Sequence, residues 1–280
     1  MKFSYFPDQA AQNSAPVLAA VIQSLAAHGH TVHANAWDAD AAIIWSVLWQ
    51  GRMAKNQQVY QHYRSLDRPV IIVEVGTLHR GHTWKVSVNN VTAQGYYGHL
   101  DLLDWDRPRQ LGITITKAPV QRPDIVVAAQ HTKSLQVANV DINQWISDAV
   151  DKLRTCTDRP ITLRPHPRSQ LISIPAGVKI ERPRRVPGTY DSFDMQYNCH
   201  AVVNYNSGPG IQAAIAGVRP IVDFTSLAYP VSINFEDIEQ PYEIDRDLWI
   251  TQICHSEYTV EELQQGLWLK RIQMALTAPV

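Results

Sequence analysis

The sequence predicts an α/β protein of two similar-sized halves, each a mostly parallel sheet with helices on both faces, facing each other across a cleft. Two observations predict this. Short apolar runs alternate with helical stretches from residue 2 to about residue 76, and the alternation resumes from about residue 124 to residue 224. Between the two series lies a Gly-, His-, Tyr-, Trp- and Asn-rich stretch, followed by the Pro-containing segment KAPVQRP, which reads as an interdomain linker. The expected division is 1–118 for the first domain, 119–258 for the second, and 259–280 for a C-terminal helix packing back on the domains.

In the first half, KFSYF opens as a strand. A helical stretch follows from Ala15 to His28, then the short run TVHA, the apolar run AAIIWSVLW, a polar helix near Lys55 to Leu66, and the strand PVIIVEVG. Ligands of such open sheets sit beyond the carboxyl ends of the strands, where Trp45, Ser46, Glu74 and Gly76 would lie. From Gly81 to Arg109 the pattern breaks, and the stretch reads either as a functional loop or as a small hairpin covering the sheet edge.

In the second half DIVVAAQ is a strand, INQWISDAVDKLRT a helix, and PITLRPHP and VKIERP are strands. The unit AVVNYNSGPGIQAAIAGVRPIVDF, Ala201 to Phe224, reads as strand, tight turn, helix and strand. Ser207 is a good N-cap, Pro209 is tolerated in the first turn, and Gly217 can end the helix in a left-handed conformation. With Gly208 and Gly210 lacking side chains, an anion can approach the positive end of the helix and the Ser207 hydroxyl. A phosphate is the natural guest; the alternative is that the turn only makes a tight connection. The last stretch, TVEELQQGLWLKRIQMAL, reads as one amphipathic helix capped by Thr259 with Glu262 three residues on.

Composition narrows the function classes. The chain has 280 residues, 45% hydrophobic, with 25 basic and 26 acidic side chains and a formal net charge of -1, which speaks against a surface coated in basic charge for nonspecific nucleic-acid binding. Cys156, Cys199 and Cys254 are widely spaced, so neither a disulfide framework nor a zinc knuckle is indicated, and a reducing cytosol fits. No apolar run is long enough to span a bilayer and the N-terminus has no apolar signal core, so a cytoplasmic protein is expected, in the host cytoplasm if viral.

The densest gathering of cations is Arg159, Arg164, Arg168, Lys179, Arg182, Arg184 and Arg185, with His166 among them. Arg164 and His166 stand at the end of the ITL strand, where Pro165 and Pro167 stiffen the exit. A guanidinium grips phosphate bidentately and a histidine donates to it; the alternative is a solvated basic loop. Gln130 and His131 end a neighbouring strand and are placed to line the same cleft.

RPHP, followed some forty residues later by NSGPGIQAAIAGVRPIVDF, resembles the nucleotide-binding half of two-domain glycosyltransferases of the GT-B architecture, with Rossmann-like domains, and especially the capsule-type sialyl and Kdo transferases. The likeness covers about residues 124 to 230. It implies that His166 and Ser207 hold the donor nucleotide and its phosphate; Gln130, His131, Arg164, Arg168, Asn206, Gly208 and Gly210 are the other candidate donor-site residues. The runs IIWSVLWQGRM and VIIVEVGTLHRGHTWKV look similar to glycosyltransferase-like proteins of tailed phages, some of which decorate hydroxymethylated bases of viral DNA.

The resemblance implies a nucleotide-sugar-dependent glycosyltransferase using a UDP- or CMP-sugar, inverting and needing no metal. Glu74 is the first candidate for the base that deprotonates the acceptor, as a poorly solvated carboxylate at a strand end, with Asp38 second and Asp40, His79 and His82 behind. Glu74 equally reads as a structural partner of Arg80. The acidic base motif of the capsule transferases has no clear counterpart here. Trp45, Arg80, His82 and Trp84 are the candidate acceptor contacts. The triplets DAD, DWD and DRD are discounted as chance matches rather than metal sites. The leading acceptor is 5-hydroxymethylpyrimidine in double-stranded phage DNA, since the arginines and the aromatics Trp84, Tyr96, Tyr97 and Trp105 suit a flipped base; a surface glycan uses the same aromatics. Two rivals stand beside the transferase: a nucleotide-sugar epimerase and a non-catalytic nucleotide-binding module.

Overall fold

A computed structural model describes residues 1–117, 122–167, 173–188, 190, 191, 194 and 196–277. The chain forms two compact α/β units, one comprising Met1–Arg107, Lys133–Leu135 and the chain from Thr251, the other Pro108–Thr132 and Gln136–Ile250.

The first unit holds a six-stranded sheet. Strands β1 (Lys2–Tyr5), β2 (Thr31–Ala34), β3 (Ala41–Trp45) and β4 (Val70–Val75) are parallel, with β1 between β2 and β3. Helices α1 (Ala15–Ala27) and α2 (Asn56–Ser65) are the crossovers. Both faces of the central strands are covered, so β3 and the first four residues of β4 are apolar on both sides. Ile43, Ile71 and Val73 pack with Val17, Val21 and Leu25 of α1, while Ile44 and Ile72 pack with Val59 and Tyr63 of α2.

Of the two readings of the stretch from Gly81, the hairpin holds: Trp84–Val88 forms β5, antiparallel to β4, and extends the sheet. The C-terminal segment belongs to the first unit. Glu257–Tyr258 adds β11 to the far side of β5, and the expected single helix is two, α7 (Val260–Gln265) and α8 (Leu267–Thr277), divided at Gly266 with φ 79°. The capping box of Thr259 and Glu262 is present as read. Fully buried Trp268 ties α8 to α1, its indole N–H lying 3.0 Å from Ser24 Oγ and 3.1 Å from Leu263 O.

The one-turn helix α3 (Arg107–Gln110) lies where the chain leaves this unit, earlier than the expected 118/119 boundary, and residues 118–121 of the expected linker lie outside the described residues.

The second unit holds a five-stranded, wholly parallel sheet in the order β10-β9-β6-β7-β8: β6 (Ile125–Ala128), β7 (Ile161–Arg164), β8 (Lys179–Ile180), β9 (Ala201–Asn204) and β10 (Arg219–Val222). Helix α4 (Ile142–Cys156), capped by the Asp141 carboxylate, buries Ile142, Ile146, Val150 and Leu153 against one face. Helix α5 (Gly208–Ile215) lies against the other face through Ala213, and Gly217 with φ 76° turns the chain into β10. Helix α6 (Asp247–Cys254) leads back to the first unit.

Candidate functional site

In the second unit the chain runs from β6 outward through β7 and β8, then returns to place β9 and β10 on the other side of β6. The strand order therefore reverses between β6 and β9, and the crevice beyond their carboxyl ends is where ligands of such sheets bind. Gln130 follows β6 and Asn206 follows β9, and the two are locked together. Gln130 Nε2 donates to Asn206 Oδ1 at 2.8 Å, and Asn206 N donates to Gln130 Oε1 at 3.1 Å. Asn206 Nδ2 also donates to Gln136 O at 3.2 Å and Thr225 Oγ1 at 2.9 Å. Both amides are buried, and together these four bonds tie the segments of Gln130, Gln136 and Thr225 to the same turn.

That turn presents the N-terminus of α5. Ser207 is the N-cap in extended conformation, but its side chain does not cap the helix. Its hydroxyl lies 3.1 Å from Asn204 Nδ2, and Asn204 Oδ1 accepts from Ser207 N at 2.8 Å. Asn204, fully buried, also donates to Ala128 O at 2.9 Å, so the Ser207 hydroxyl is held by a residue anchored across to β6. Pro209, in the first turn, has no N–H, which leaves the amide of Gly208 beside the Ser207 hydroxyl at the helix tip. Gly210 has a different reason from the one expected. A Cβ there would come within 2.7 Å of Val222 Cγ1 and 3.3 Å of the Ala228 Cβ, so the missing side chain lets α5 approach β10 rather than lets a ligand approach α5.

His131, after β6, and His166, after β7, bring their rings to 5.1 Å between centroids, edge to face. The structure therefore brings Gln130, His131, His166, Asn206, Ser207 and Gly208 to one edge of one sheet, while Arg168 lies outside the described residues.

Three members of the cation cluster are engaged elsewhere. Arg159 precedes β7 at the opposite edge of the sheet and grips Glu239 with Nε and Nη2 at 2.8 to 3.0 Å. A cavity of about 420 Å³ at that edge is lined by Cys156, Thr157, Asp158, Arg159 and Glu239, away from the turn. Arg164 is buried inside the unit: Nη1 donates to Gln196 O at 2.9 Å, Nη2 lies 3.4 Å from Glu181 Oε1, and the guanidinium sits 4.9 Å over the Tyr197 ring. Burial works against the charge of Glu181, but Arg122 and Arg164 outweigh it and hold the carboxyl below its ordinary range. Arg184 pairs with Asp194 at 3.1 Å. Three of the seven cations are thus spent on fold contacts, two of them with partners more than thirty residues away, and Arg164 is withdrawn as a donor-site residue.

In the first unit the carboxyl ends of β3 and β4 carry Ser46 and Glu74. Ser46 adopts φ 65°, a left-handed conformation rare for a non-glycine, and its hydroxyl donates to Glu74 Oε2 at 2.6 Å. Glu74 Oε1 accepts from Val75 N at 2.9 Å. Both oxygens are hydrogen-bonded, so Glu74 is not the unsatisfied carboxylate expected, and Arg80 Nη1 donates to Gly76 O at 3.2 Å.

Asp38 is removed from this edge. It precedes β3, at the amino end of the parallel strands, and its exposed carboxylate pairs with Lys2 Nζ at 2.7 Å. Trp45 and Trp84 are 2% and 5% exposed and meet in the core with ring centroids 5.5 Å apart, so as packing groups they offer no stacking surface. Arg80 and His82 lie on the loop between β4 and β5, His82 exposed.

Two groups escaped the sequence reading. Lys85 of β5 stands opposite Glu74, and Glu257 of β11 stands opposite Lys85, so the three share one face of the sheet. Fully buried Glu257 accepts from Thr77 N at 2.6 Å, Leu78 N at 3.0 Å and Thr83 Oγ1 at 2.8 Å, which clamps the loop after β4. A Cβ on Gly76 would lie 2.4 Å from Glu257 Oε2, so glycine is required at that approach. No local pattern announces a two-residue strand 180 residues away.

Two of the three Asp-x-Asp triplets make local turns, Asp104 Oδ1 accepting from Asp106 N and Asp245 Oδ1 from Asp247 N, each at 2.9 Å, and in the third Asp40 Oδ2 accepts from Lys2 N at 2.7 Å. Among the described residues no three His, Cys, Asp or Glu side chains converge as metal ligands, and no helix is long and apolar enough to cross a membrane.

No family model matches the chain, and no curated protein matches it in sequence. Its fold is similar to two solved structures from Thermosulfurimonas dismutans, both of KpsC. One is described as the beta Kdo 2,4 transferase, with a TM-score of 0.55 at 11% identity over 96% of this chain and 98% of that one. The other is described as the beta Kdo 2,7 transferase, with a TM-score of 0.52 at 12% identity over 96% of this chain and 100% of that one. At such identities the likeness is one of fold, and it agrees with the two-unit α/β architecture.

Proposed function

We propose that this protein is a glycosyltransferase that takes a sugar from a nucleotide-sugar donor to a hydroxyl acceptor. The observation that carries the reading is the turn at the strand-order reversal of the second unit, where the Gln130–Asn206 pair sets the Ser207 hydroxyl and the tip of α5 at one sheet edge with His131 and His166. Helix tip, hydroxyl and two imidazoles form an anion-binding set suited to a departing phosphate. The fold likeness to two Kdo transferases supports the class.

With Arg159 and Arg164 engaged elsewhere, the described part of this edge offers little fixed positive charge. That favours a single phosphate over a diphosphate, hence a CMP-activated sugar over a UDP-activated one, and a sugar acid of the Kdo kind is the first donor to try. No metal is assigned a role. On the first unit Glu74 is the base in this reading, aimed by the Ser46 hydroxyl, and a single direct displacement by the acceptor it deprotonates inverts the anomeric carbon.

The acceptor is a glycan hydroxyl in this reading. Hydroxymethylated DNA is the second choice, because Trp84 is a core residue and Arg159, Arg164 and Arg184 are paired within the fold, while Trp105 stays exposed. The test is nucleotide release from CMP-Kdo and from UDP-sugars, with oligosaccharide acceptors in one arm and hydroxymethylcytosine DNA in the other. Acceptor-dependent release of CMP supports the reading. Epimerised sugar nucleotide without any acceptor replaces it with the epimerase, and release dependent on modified DNA restores the DNA acceptor.

A further inference from the structure

Residues 99–106 of the first unit, HLDLLDWD, leave large apolar side chains in water: Leu100 is 57%, Leu102 42% and Trp105 63% exposed. A segment that buries so little of its apolar surface gains little to offset the entropy lost on ordering it. This one is held by buried polar groups instead. Arg271 of α8 donates from Nη1 to Leu102 O at 2.7 Å and from Nε to Tyr97 O at 3.4 Å. Gly98, with φ 109°, makes room for it, since a Cβ there would lie 2.8 Å from Arg271 Nε. His255 accepts the Asp104 N–H at Nε2, 2.9 Å away, and donates from Nδ1 to Thr251 O at 2.8 Å. Buried Arg107 closes the far end, gripping Glu262 and donating from Nη2 to Glu257 O at 2.9 Å. Between these last two anchors Asp104 Oδ1 accepts from Asp106 N at 2.9 Å and Asp104 O accepts from Arg107 N at 3.1 Å, so Trp105 stands on a turn held from both sides.

Two guanidinium groups and an imidazole are buried here at a cost in desolvation, and what they order is the backbone around an indole that they leave uncovered. An indole carried on an ordered turn loses little further freedom when something binds it. The flanking charges select what that is. Asp101, Asp104 and Asp106 stand beside Trp105, and the segment has no lysine or arginine. Carboxylates so placed repel the phosphates of nucleic acid and of anionic lipid. They accept hydrogen bonds from hydroxyl groups, and the flat face of an indole packs against the C–H face of a pyranose.

We propose that Trp105 is a stacking platform for a neutral sugar ring of the acceptor glycan, with the acidic flank receiving the hydroxyls of that sugar. This rests on the reading of the acceptor as a glycan.

The experiment observes Trp105 directly. Full-length protein carrying fluorotryptophan gives fluorine resonances for its eight tryptophans, and Trp105→Phe identifies the one that belongs to Trp105. The protein is titrated with neutral hexasaccharides of glucose, galactose and mannose, with hydroxymethylcytosine DNA and with phosphatidylcholine vesicles. Acceptor KM and kcat are measured beside this by nucleotide release from CMP-Kdo and from UDP-sugars. The expected result is a saturable shift of the Trp105 resonance with at least one hexasaccharide and none with DNA or vesicles. Trp105→Ala, a surface change that leaves the thermal midpoint in place, weakens binding of that hexasaccharide and raises acceptor KM, each about tenfold, with kcat within about twofold. Trp105→Phe keeps part of the affinity. A resonance moved by no hexasaccharide, or moved only by DNA, by vesicles or by dilution of the protein, overturns the platform, and acceptor-dependent nucleotide release leaves the transferase standing in that case. If no acceptor elicits nucleotide release from any donor, the transferase reading fails and the acceptor role of Trp105 falls with it.

Discussion

The Gln130 amide is bound at both ends by Asn206 across the point where the strand order of the second unit reverses, Nε2 donating to Asn206 Oδ1 at 2.8 Å and Oε1 accepting from the Asn206 backbone N–H at 3.1 Å. Truncating Asn206 to Ala leaves buried Gln130 Nε2 without its acceptor, while the backbone N–H at 206 still serves Gln130 Oε1, and each buried polar group so orphaned costs about 1–3 kcal/mol. Asn206→Ala is therefore expected to lose about 2 kcal/mol or more in urea unfolding. Gln130→Leu, which removes the other partner, loses a comparable amount, and the double variant loses less than the sum of the two.

Trp45 and Trp84 are expected to act on stability alone. Trp84→Ala opens a cavity in the core and costs about 3–5 kcal/mol by denaturant titration, whereas Trp84→Phe costs less. Folded Trp84→Phe keeps its acceptor KM. A rise in acceptor KM without loss of stability contradicts the core assignment.

Glu239 gives the second unit an acid-sensitive contact. Hydrogen bonds from Arg159 and Thr157 bring its carboxyl down to about 2. A depressed carboxyl contributes stability that is complete above its unfolded value of about 4.5 and is lost as pH falls toward 2. Because the side chain is 43% exposed, solvent screening limits the effect to about 1 kcal/mol. Urea midpoints at about pH 6 and about pH 3 are expected to differ less in Glu239→Gln than in the wild type.

Glu74→Gln is expected to lower kcat by about 10²–10⁴ while leaving nucleotide binding intact. Nuclear magnetic resonance of the product is expected to show inverted anomeric configuration, and a chelator to leave the rate unchanged. Retained configuration would move Glu74 out of the base role.

How far the sequence carried these conclusions depends on the range of each interaction. The alternation of apolar runs with helices marked β1 to β4, α1, α2, β6, α4, β7, β9, α5 and β10, and the Thr259–Glu262 box marked the start of α7, because those signals lie within a few residues of one another. The Ser207 turn was legible for the same reason. What it could not carry is long-range pairing. Arg159 meets Glu239 80 residues on, Arg164 meets Glu181 only because β7 and β8 pair, and Glu257 reaches the loop after β4 through β11. A cluster of arginines in sequence therefore looked like a phosphate site when several of its members had distant carboxylates. The aromatic stretch misled in a related way, since Trp84 faces the core as the first residue of β5 rather than the solvent as part of a loop.

The central claim is that the Ser207 turn, set by Asn206, binds the phosphate of a nucleotide. Titration calorimetry of CMP into the wild type, Ser207→Ala and Asn206→Ala tests it most directly. The expected result is saturable binding to the wild type, weakened about tenfold or more in each variant, which corresponds to about 1.4 kcal/mol. CMP, UMP and UDP all failing to bind the wild type, or binding equally to all three proteins, would contradict it.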